Sequence, residues 1–226
     1  MRAIPAKVSV GICVSIAVLA GSCGSGDRRS GTDLRLSGVG ILAEGCTLVA
    51  QLASGVIVDR PGQVVTVAHA IAGARSITVV DHAGIAYPAT VRAFDKDSDL
   101  AVLDVSGLDA PALDVVPSTV GAGFILTWSR DAGVMYDQVK VSKLLTVTIE
   151  DIYVEAIVER KGIEVLGEIH SGDSGGAVLS SAGDVMGIIY AQSRTRTEVG
   201  FATDASELEA LLLTTSKTAV SNGRCG

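Results

Sequence analysis

The sequence predicts an all-β protein with two small antiparallel barrels or sandwiches, followed by a short C-terminal helix. Its 226 residues are 48% hydrophobic but only 4% aromatic, and 26 are glycine. This composition, rich in Val, Ile and Thr, favours many short strands joined by tight turns. Two successive sets of β-type runs flank a proline-bearing connector at residues 108–119. The loops of two such barrels meet at a seam, where a site can be assembled.

The predicted strands are apolar or β-branched runs bounded by Gly, Pro, Asp or Ser. In the first half they are residues 47–52, 55–58, 63–68, 76–81, 86–93 and 100–105. In the second half they are residues 123–129, 139–147, 153–158, 162–166, 177–179, 185–192 and 200–202. The domain is therefore expected at residues 45–226, with barrels at 45–115 and 116–203 and a helix with a tail at 204–226.

A single helix is predicted at residues 205–213. Asp204 precedes it and can accept hydrogen bonds from the first turn, and Glu207 follows three residues later. Leu208, Leu211 and Leu212 then share one face, so the helix is expected to pack on a barrel.

The N-terminus has the pattern of a secretory signal peptide at residues 1–23. Arg2 and Lys7 precede an uncharged run at residues 8–20, which ends in small residues. That run is shorter than the roughly 20 residues that a membrane-spanning helix needs, and a retained membrane anchor is the alternative. We therefore expect the mature domain to lie outside the cytoplasm.

The end of this segment resembles a bacterial lipobox, in which the cysteine becomes the lipidated first residue. Cys23 occupies that position, although Ala20 stands where the pattern usually has Leu. Polar and glycine-rich residues follow, and we expect residues 24–44 to form a flexible tether. The expected location is the outer face of the cell membrane, and free secretion is the alternative.

Cys46 and Cys225 are the two cysteines that remain in the expected domain. A pair in an oxidising compartment favours a disulfide, worth roughly 2–4 kcal/mol, and two unrelated thiols are the alternative. The formal net charge is −7 and no Lys/Arg run is present, which argues against nucleic acid as a partner. We expect no metal and no cofactor.

The stretch HSGDSGGAV around Ser174 carries the strongest chemical signal. A serine hydroxyl is a weak nucleophile until a base takes its proton and donors receive the developing negative charge. The surrounding glycines permit left-handed backbone, so the amides of Gly172 and Ser174 can point at one oxyanion. The alternative is an ordinary glycine-rich hairpin turn.

Of the three histidines, His69 is the best-placed base for Ser174. It ends a β run at the mouth of the first half, whereas His170 lies in the serine's own turn and His82 in a polar hairpin. A neutral imidazole acts as a base when its second nitrogen donates to a fixed carboxylate. Asp99 is the preferred carboxylate because it directly abuts an apolar strand, and Asp95 and Asp97 are the alternatives.

Three motifs, TVAHA at residues 66–70, DSDLAVL at 97–103 and GDSGG at 172–176, resemble the active-site motifs of trypsin-like serine proteases. Their order is the chymotrypsin one, and the first two look most like the HtrA/Deg branch. The resemblance spans about residues 45–204 and implies a chymotrypsin-like fold of two antiparallel β-barrels of the six-stranded type, with the active site at their seam. It also implies peptide hydrolysis.

By this resemblance His69 is the general base, Asp99 orients it and Ser174 is the nucleophile. The amides of Gly172 and Ser174 would form the oxyanion hole. HtrA/Deg enzymes usually carry a PDZ domain, which we do not expect here. They also commonly have Asn before the nucleophile, whereas this chain has Asp173; Arg130 is our candidate for the cation that a buried carboxylate needs.

The resemblance also suggests a substrate pocket. Glu168 would lie at its base and favour Lys or Arg at P1, and the alternative is that Glu168 points to solvent. His170 would line the pocket, and its wall would be formed by Tyr190, Ala191 and Gln192.

The leading hypothesis is an exported serine endopeptidase that acts on proteins or peptides through an acyl-enzyme. A catalytically silent, surface-anchored binding module on a protease fold is the alternative, since fold does not fix function.

Overall fold

The computed structural model describes residues 30–226, which form two curled antiparallel sheets and three short helices. The predicted signal peptide, Cys23 and the start of the tether lie outside the described residues. None of the helices within residues 30–226 is long and apolar enough to cross a membrane.

The first sheet contains seven strands in the order β5-β4-β1-β2-β3-β7-β6. They are β1 (Gly38–Glu44), β2 (Gln51–Ile57), β3 (Gln63–Thr66), β4 (Ser76–Val80), β5 (Ala86–Pro88), β6 (Thr90–Asp95) and β7 (Leu100–Asp104). A helical turn, α2 (Ala68–Ile71), follows β3. All of β3 and the first four residues of β7 are buried. Burial on both faces explains the continuous apolar run at the start of β7.

The second sheet closes into a six-stranded barrel in the order β10-β13-β12-β11-β8-β9. Its strands are β8 (Gly121–Ser129), β9 (Gly133–Glu150), β10 (Ile157–Leu166), β11 (Ala177–Leu179), β12 (Val185–Gln192) and β13 (Val199–Asp204). The predicted all-β class with two antiparallel halves is confirmed. The first half has seven strands rather than six.

The two halves pack directly on each other through β1. Gly40 has no side chain, and a Cβ there would come within 2.4 Å of the Trp128 indole on β8. Gly38 likewise leaves room for Val134 on β9. The main apolar core accordingly runs across the seam, from Val39 of the first sheet to Leu126 of the second.

The predicted tether at residues 24–44 is wrong from residue 30 onward. Gly31–Arg35 forms helix α1, and Gly38–Glu44 is a largely buried central strand. The segment lacks the usual strand signal because close packing of the halves requires glycine at two of its positions. The boundary predicted at residue 45 therefore falls after the first strand of the domain.

Several predicted strands are correct and others are displaced. Ala177–Leu179, Val185–Gln192 and the helix α3 (Ala205–Leu213) match their predicted bounds, and Asp204 caps α3 by accepting from the Ser206 amide at 2.9 Å. The predicted strands 47–52 and 55–58 correspond to one strand, β2, and residues 47–50 lie outside it. Residues 153–156 form a turn instead of the start of a strand.

Helix α1 packs on the second half, and helix α3 packs on both halves. Leu34 of α1 lies against the turn at Gly183 in the second half, and Arg35 donates to the Val134 carbonyl. At the other end, α3 contacts β6 and β7 of the first sheet as well as β12, with Leu208 and Leu211 buried. The helices near the two chain ends therefore connect the two halves.

The C-terminal tail is fixed beside helix α2. Cys46 and Cys225 form the predicted disulfide, with their Cα atoms 5.5 Å apart. The Asn222 side-chain amide donates to the carbonyls of Ile71 at 2.8 Å and Ala74 at 2.9 Å. These bonds hold the tail against the loop that directly follows α2.

Replacing one bridge cysteine, as in Cys225→Ser, should lower the free energy of unfolding by about 2–5 kcal/mol, because the bridge closes a very long loop in the unfolded chain. Urea unfolding of the oxidised protein and the variant would measure this. Wild-type protein kept in reductant should unfold at the same urea concentration as the variant. Equal urea midpoints for all three samples would contradict the prediction.

Candidate active site

Both carboxylate oxygens of Asp99 hold His69. The His69 backbone amide donates to Oδ1 at 2.9 Å, and the imidazole Nδ1 lies 2.8 Å from Oδ2. Asp99 is 4% exposed and its backbone is left-handed, with a φ of 58°. Asp tolerates this conformation better than most residues, so the turn before β7 can aim the carboxylate at α2.

This geometry prepares His69 as a base. When Nδ1–H donates to Asp99, the other nitrogen, Nε2, carries the free lone pair. The pKa of His69 is raised: burial lowers it, but the hydrogen bond and the charge of Asp99 outweigh burial, and the charge of Arg160 opposes the rise. The imidazole side chain is 40% exposed, so a bound substrate could reach it.

The Ser174 loop is fixed from the first sheet. The Ser174 carbonyl accepts from the Ser54 amide of β2 at 2.8 Å. Gly175, with a φ of 88°, makes this approach possible, because a Cβ there would lie 2.0 Å from the Ser54 carbonyl oxygen. The Ser174 hydroxyl is directed at the Tyr190 carbonyl at 3.4 Å, a long and weak contact.

Ser54 is a site residue that sequence reasoning missed. It is fully buried, and its hydroxyl donates to the Gly172 carbonyl at 2.9 Å while accepting from the Trp128 amide at 2.8 Å. Thr66 donates to the Ser54 carbonyl at 2.7 Å. The available signal was a lone serine inside the apolar run of β2, where a buried hydroxyl must find partners.

Two backbone amides of the loop are free. Within residues 30–226, the N–H groups of Gly172 and Ser174 donate to no other protein group, whereas those of Asp173, Gly175 and Gly176 all do. The left-handed backbone of Gly172, at a φ of 101°, sets the direction of this turn. Free amides beside a nucleophile are what an oxyanion hole requires.

The buried carboxylate of Asp173 interacts with His170 of its own loop. It is 3% exposed, accepts from the His170 backbone amide at 2.6 Å and lies 3.7 Å from the His170 imidazole Nδ1. Burial raises the pKa of Asp173, and the His170 amide and imidazole oppose the rise. Arg130 is exposed and forms no ion pair with Asp173 in the described part of the chain, so His170 is the partner instead.

The predicted substrate-pocket residues fall into two separate groups. Glu168 is exposed, and it lines a cavity of about 420 Å³ together with His170 and Asp173. Tyr190, Ala191 and Gln192 end β12 and do not line that cavity.

Ile169, rather than Glu168, fills the space beside β13. It is 2% exposed, and a Cβ on Gly200 would come within 2.6 Å of its side chain. Among the described residues, no three His, Cys, Asp or Glu side chains are grouped to hold a metal ion.

Asp173→Asn should change how stability depends on pH. Because the folded pKa of Asp173 is raised, the stability it contributes is present below its unfolded pKa and is lost as pH rises through the folded pKa. The variant should therefore gain melting temperature relative to wild type as pH rises above about 4, the unfolded pKa of an aspartate. Asp109→Asn, at an exposed position, is the matched control. If the difference in melting temperature between Asp173→Asn and wild type stays constant with pH, the prediction is contradicted.

Comparison of the sequence with known proteins points to trypsin-like serine proteases. The sequence profile of the family described as "Trypsin-like peptidase domain" matches residues 53–188. Serine protease Rv3671c of Mycobacterium tuberculosis is 29% identical over 174 residues, which cover 74% of this chain and 43% of the relative. Protease Do-like 1 of Arabidopsis thaliana is 31% identical over 158 residues, which cover 66% and 35%. The chain thus spans less than half the length of these relatives.

The fold agrees as well. The crystal structure of the Rv3671c protease from M. tuberculosis in its active form has a TM-score of 0.80 at 25% identity, over 86% of this chain and 87% of that one. The inactive form has a TM-score of 0.70 at 26% identity, over 81% and 91%. The family profile matches more than half of this chain, and the relatives include HtrA/Do-like serine proteases. This chain therefore belongs to the trypsin-like peptidases.

Proposed function

We propose that this protein is a serine endopeptidase that cleaves peptide bonds through a triad of Ser174, His69 and Asp99. The two contacts from Asp99 to His69, at 2.8 and 2.9 Å, carry the proposal. They fix both the position and the tautomer of the base, which a surface histidine would not need. The higher TM-score with the active than with the inactive form of the Rv3671c protease supports a competent arrangement.

The reaction begins when the Ser174 hydroxyl turns from the Tyr190 carbonyl toward His69. His69 Nε2 takes the hydroxyl proton while Oγ bonds to the carbonyl carbon of the substrate. Negative charge develops on the carbonyl oxygen, where the free amides of Gly172 and Ser174 receive it. His69 then protonates the leaving amine, the C–N bond breaks and an acyl-enzyme remains.

Water completes the cycle. His69 takes a proton from a water molecule, and the resulting hydroxide attacks the acyl carbonyl in the same oxyanion site. The ester bond to Ser174 breaks, and Oγ recovers its proton from His69. Asp99 stays ionised throughout and stabilises the imidazolium that forms twice per turnover.

The proposed setting is outside the cytoplasm. The Cys46–Cys225 disulfide supports it, because such bridges persist in oxidising compartments. We propose that residues 1–23 direct export and that Cys23 carries the lipid that anchors the domain. Membrane fractionation of wild type and Cys23→Ala tests this, and equal release of both from the membrane would argue for free secretion.

A fluorophosphonate probe should label the wild type and fail to label Ser174→Ala. The probe reacts only with an activated serine: Oγ bonds to phosphorus, fluoride leaves and the proton passes to His69. In-gel fluorescence and cleavage of a protein substrate are the measurements. Ser171→Ala, at an exposed serine of the same loop, is the control and should be labelled like wild type.

A folded wild-type protein that takes no label at neutral pH would contradict the catalytic proposal. In that case peptide binding without cleavage would favour the silent binding module.

Asp99→Asn should reduce the second-order labelling rate by about 10⁴-fold, because the base loses its tautomer and the imidazolium loses its counter-charge. Asp97→Asn is the matched control, since Asp97 is an exposed neighbour in the same turn, and it should react at close to the wild-type rate. The assignment is wrong if Asp97→Asn is the slow variant, or if both variants react like wild type.

A further inference from the structure

A cavity of about 440 Å³ opens where β2 of the first sheet meets the second barrel. Its apolar wall is formed by Leu52 of β2, Trp128 near the end of β8 and Met135 near the start of β9. Gly172 and Arg130 also line it. We call this space the β2–β8 cavity. None of its three apolar side chains has a role in the proposed hydrolysis.

The β2–β8 cavity adjoins the point of reaction. Gly172 lines the cavity, and its free amide is one of the two proposed oxyanion donors. Ser54, two residues after Leu52, donates its amide to the Ser174 carbonyl at 2.8 Å and its hydroxyl to the Gly172 carbonyl at 2.9 Å. A substrate whose carbonyl oxygen reaches the Gly172 amide therefore lies at the mouth of this cavity.

The cavity lies on the side from which the leaving group departs. In the proposed reaction the acyl half stays bonded to Ser174 of the second barrel, whereas His69 of the first half protonates the departing amine. The first sheet contributes Leu52 to the cavity, and the end of β12 contributes nothing to it. Because an extended chain advances only about 3.3 Å per residue, the first two departing residues remain beside the cavity.

The loop that leads into β2 extends the apolar surface. Leu48 is fully exposed, and Val49 and Leu52 are also exposed. The Cys46 Sγ atom lies 3.1 Å from the Ala72 carbonyl, which holds this loop beside α2 and the base. Single exposed apolar residues are ordinary, but several together at the edge of a cavity are typical of a binding surface.

Arg130 gives the cavity a free positive charge. It is exposed, and it forms no ion pair within residues 30–226. Asp173 also lines the cavity, but its carboxylate is buried and accepts from the His170 amide. Asp131 is exposed and does not line the cavity. A carboxylate that enters from solvent therefore meets an unpaired cation.

We propose that the β2–β8 cavity binds the leaving segment of the substrate: it takes a large apolar side chain from the first two residues after the cleaved bond, and Arg130 binds a carboxylate on the third. This inference rests on the proposed function and deepens it by naming a substrate class. That class is polypeptide segments in which apolar residues are followed by an acidic residue.

The two contributions should differ in size and in their response to salt. Filling the apolar wall should raise kcat/KM by about tenfold or more over a small polar residue. Pairing a carboxylate with an exposed arginine should add about two- to fivefold. Salt screens the exposed charge pair, so about 0.5 M NaCl should reduce the second preference and leave the first.

The test uses four quenched fluorescent peptides with one common acyl half, chosen from a cleavage profile of a protein substrate. Their leaving segments are Leu-Leu-Glu, Leu-Leu-Lys, Ser-Ser-Glu and Ser-Ser-Lys, and mass spectrometry confirms the cleaved bond. The measured quantity is the ratio of kcat/KM between peptides within each variant. The wild type should prefer Leu over Ser and Glu over Lys by the factors above.

Two variants separate the contributions. Leu52→Ser should reduce the preference for Leu, with Leu52→Ala as the second variant, and Arg130→Glu should reverse the preference from Glu to Lys. The matched controls are Leu213→Ser, at an exposed leucine of α3, and Lys217→Glu, at an exposed lysine of the C-terminal tail. Both controls should keep the wild-type ratios, because neither residue lines the cavity.

Trp128 provides a readout independent of catalysis, because it is the only tryptophan of the chain. In the Ser174→Ala protein, the free peptide Leu-Leu-Glu-amide should shift the tryptophan emission to shorter wavelength as it excludes water from the cavity. Ser-Ser-Lys-amide should leave the emission unchanged. Adding Leu52→Ser should weaken the response to the first peptide.

Equal kcat/KM ratios in wild type, Leu52→Ser and Arg130→Glu would overturn the inference, as would a tryptophan emission that does not respond to Leu-Leu-Glu-amide. Failure of the proposed function looks different, because the wild type would then take no fluorophosphonate label and would cleave none of the four peptides.

Discussion

The contact between the Ser54 amide on β2 and the Ser174 carbonyl is the constraint on which the site depends. The proposed nucleophile belongs to the second barrel and the proposed base to the first sheet, so the proposed reaction requires the two halves to hold a fixed relative position. A main-chain hydrogen bond at 2.8 Å, which only a glycine at position 175 allows, sets that position. The Ser54 hydroxyl, bonded to Gly172 and Trp128, fixes the same region a second time.

Much of this arrangement can be predicted from the sequence. β12 and α3 are correct to the residue, because the first is an uninterrupted apolar run and the second has a cap and a periodic apolar face. The pairing of His69 with Asp99 follows from residue type, chain order and an adjacent apolar strand. These signals are local, or they need only the relative order of motifs along the chain.

The features that could not be predicted depend on neighbours distant in sequence. The sequence predicts a tether where β1 lies because Gly38 and Gly40 weaken its strand signal, and the Trp128 indole explains the second glycine. The sequence also suggests Arg130 as the partner of Asp173, whereas a turn of four residues brings the His170 amide to it. Ser54 carries no motif, and its importance comes entirely from what surrounds it.

The exchange of terminal segments between the halves has a consequence for how the chain acquires its fold. Helix α1 leaves the start of the chain on the second barrel, and α3 with the disulfide brings the end of the chain back to the first sheet. During synthesis, the first sheet cannot bury its core completely until Leu208 and Leu211 of α3 have emerged. Completion of the fold should therefore be a late event that depends on long-range contacts, and the exposed intermediates would be sensitive to aggregation and to proteolysis.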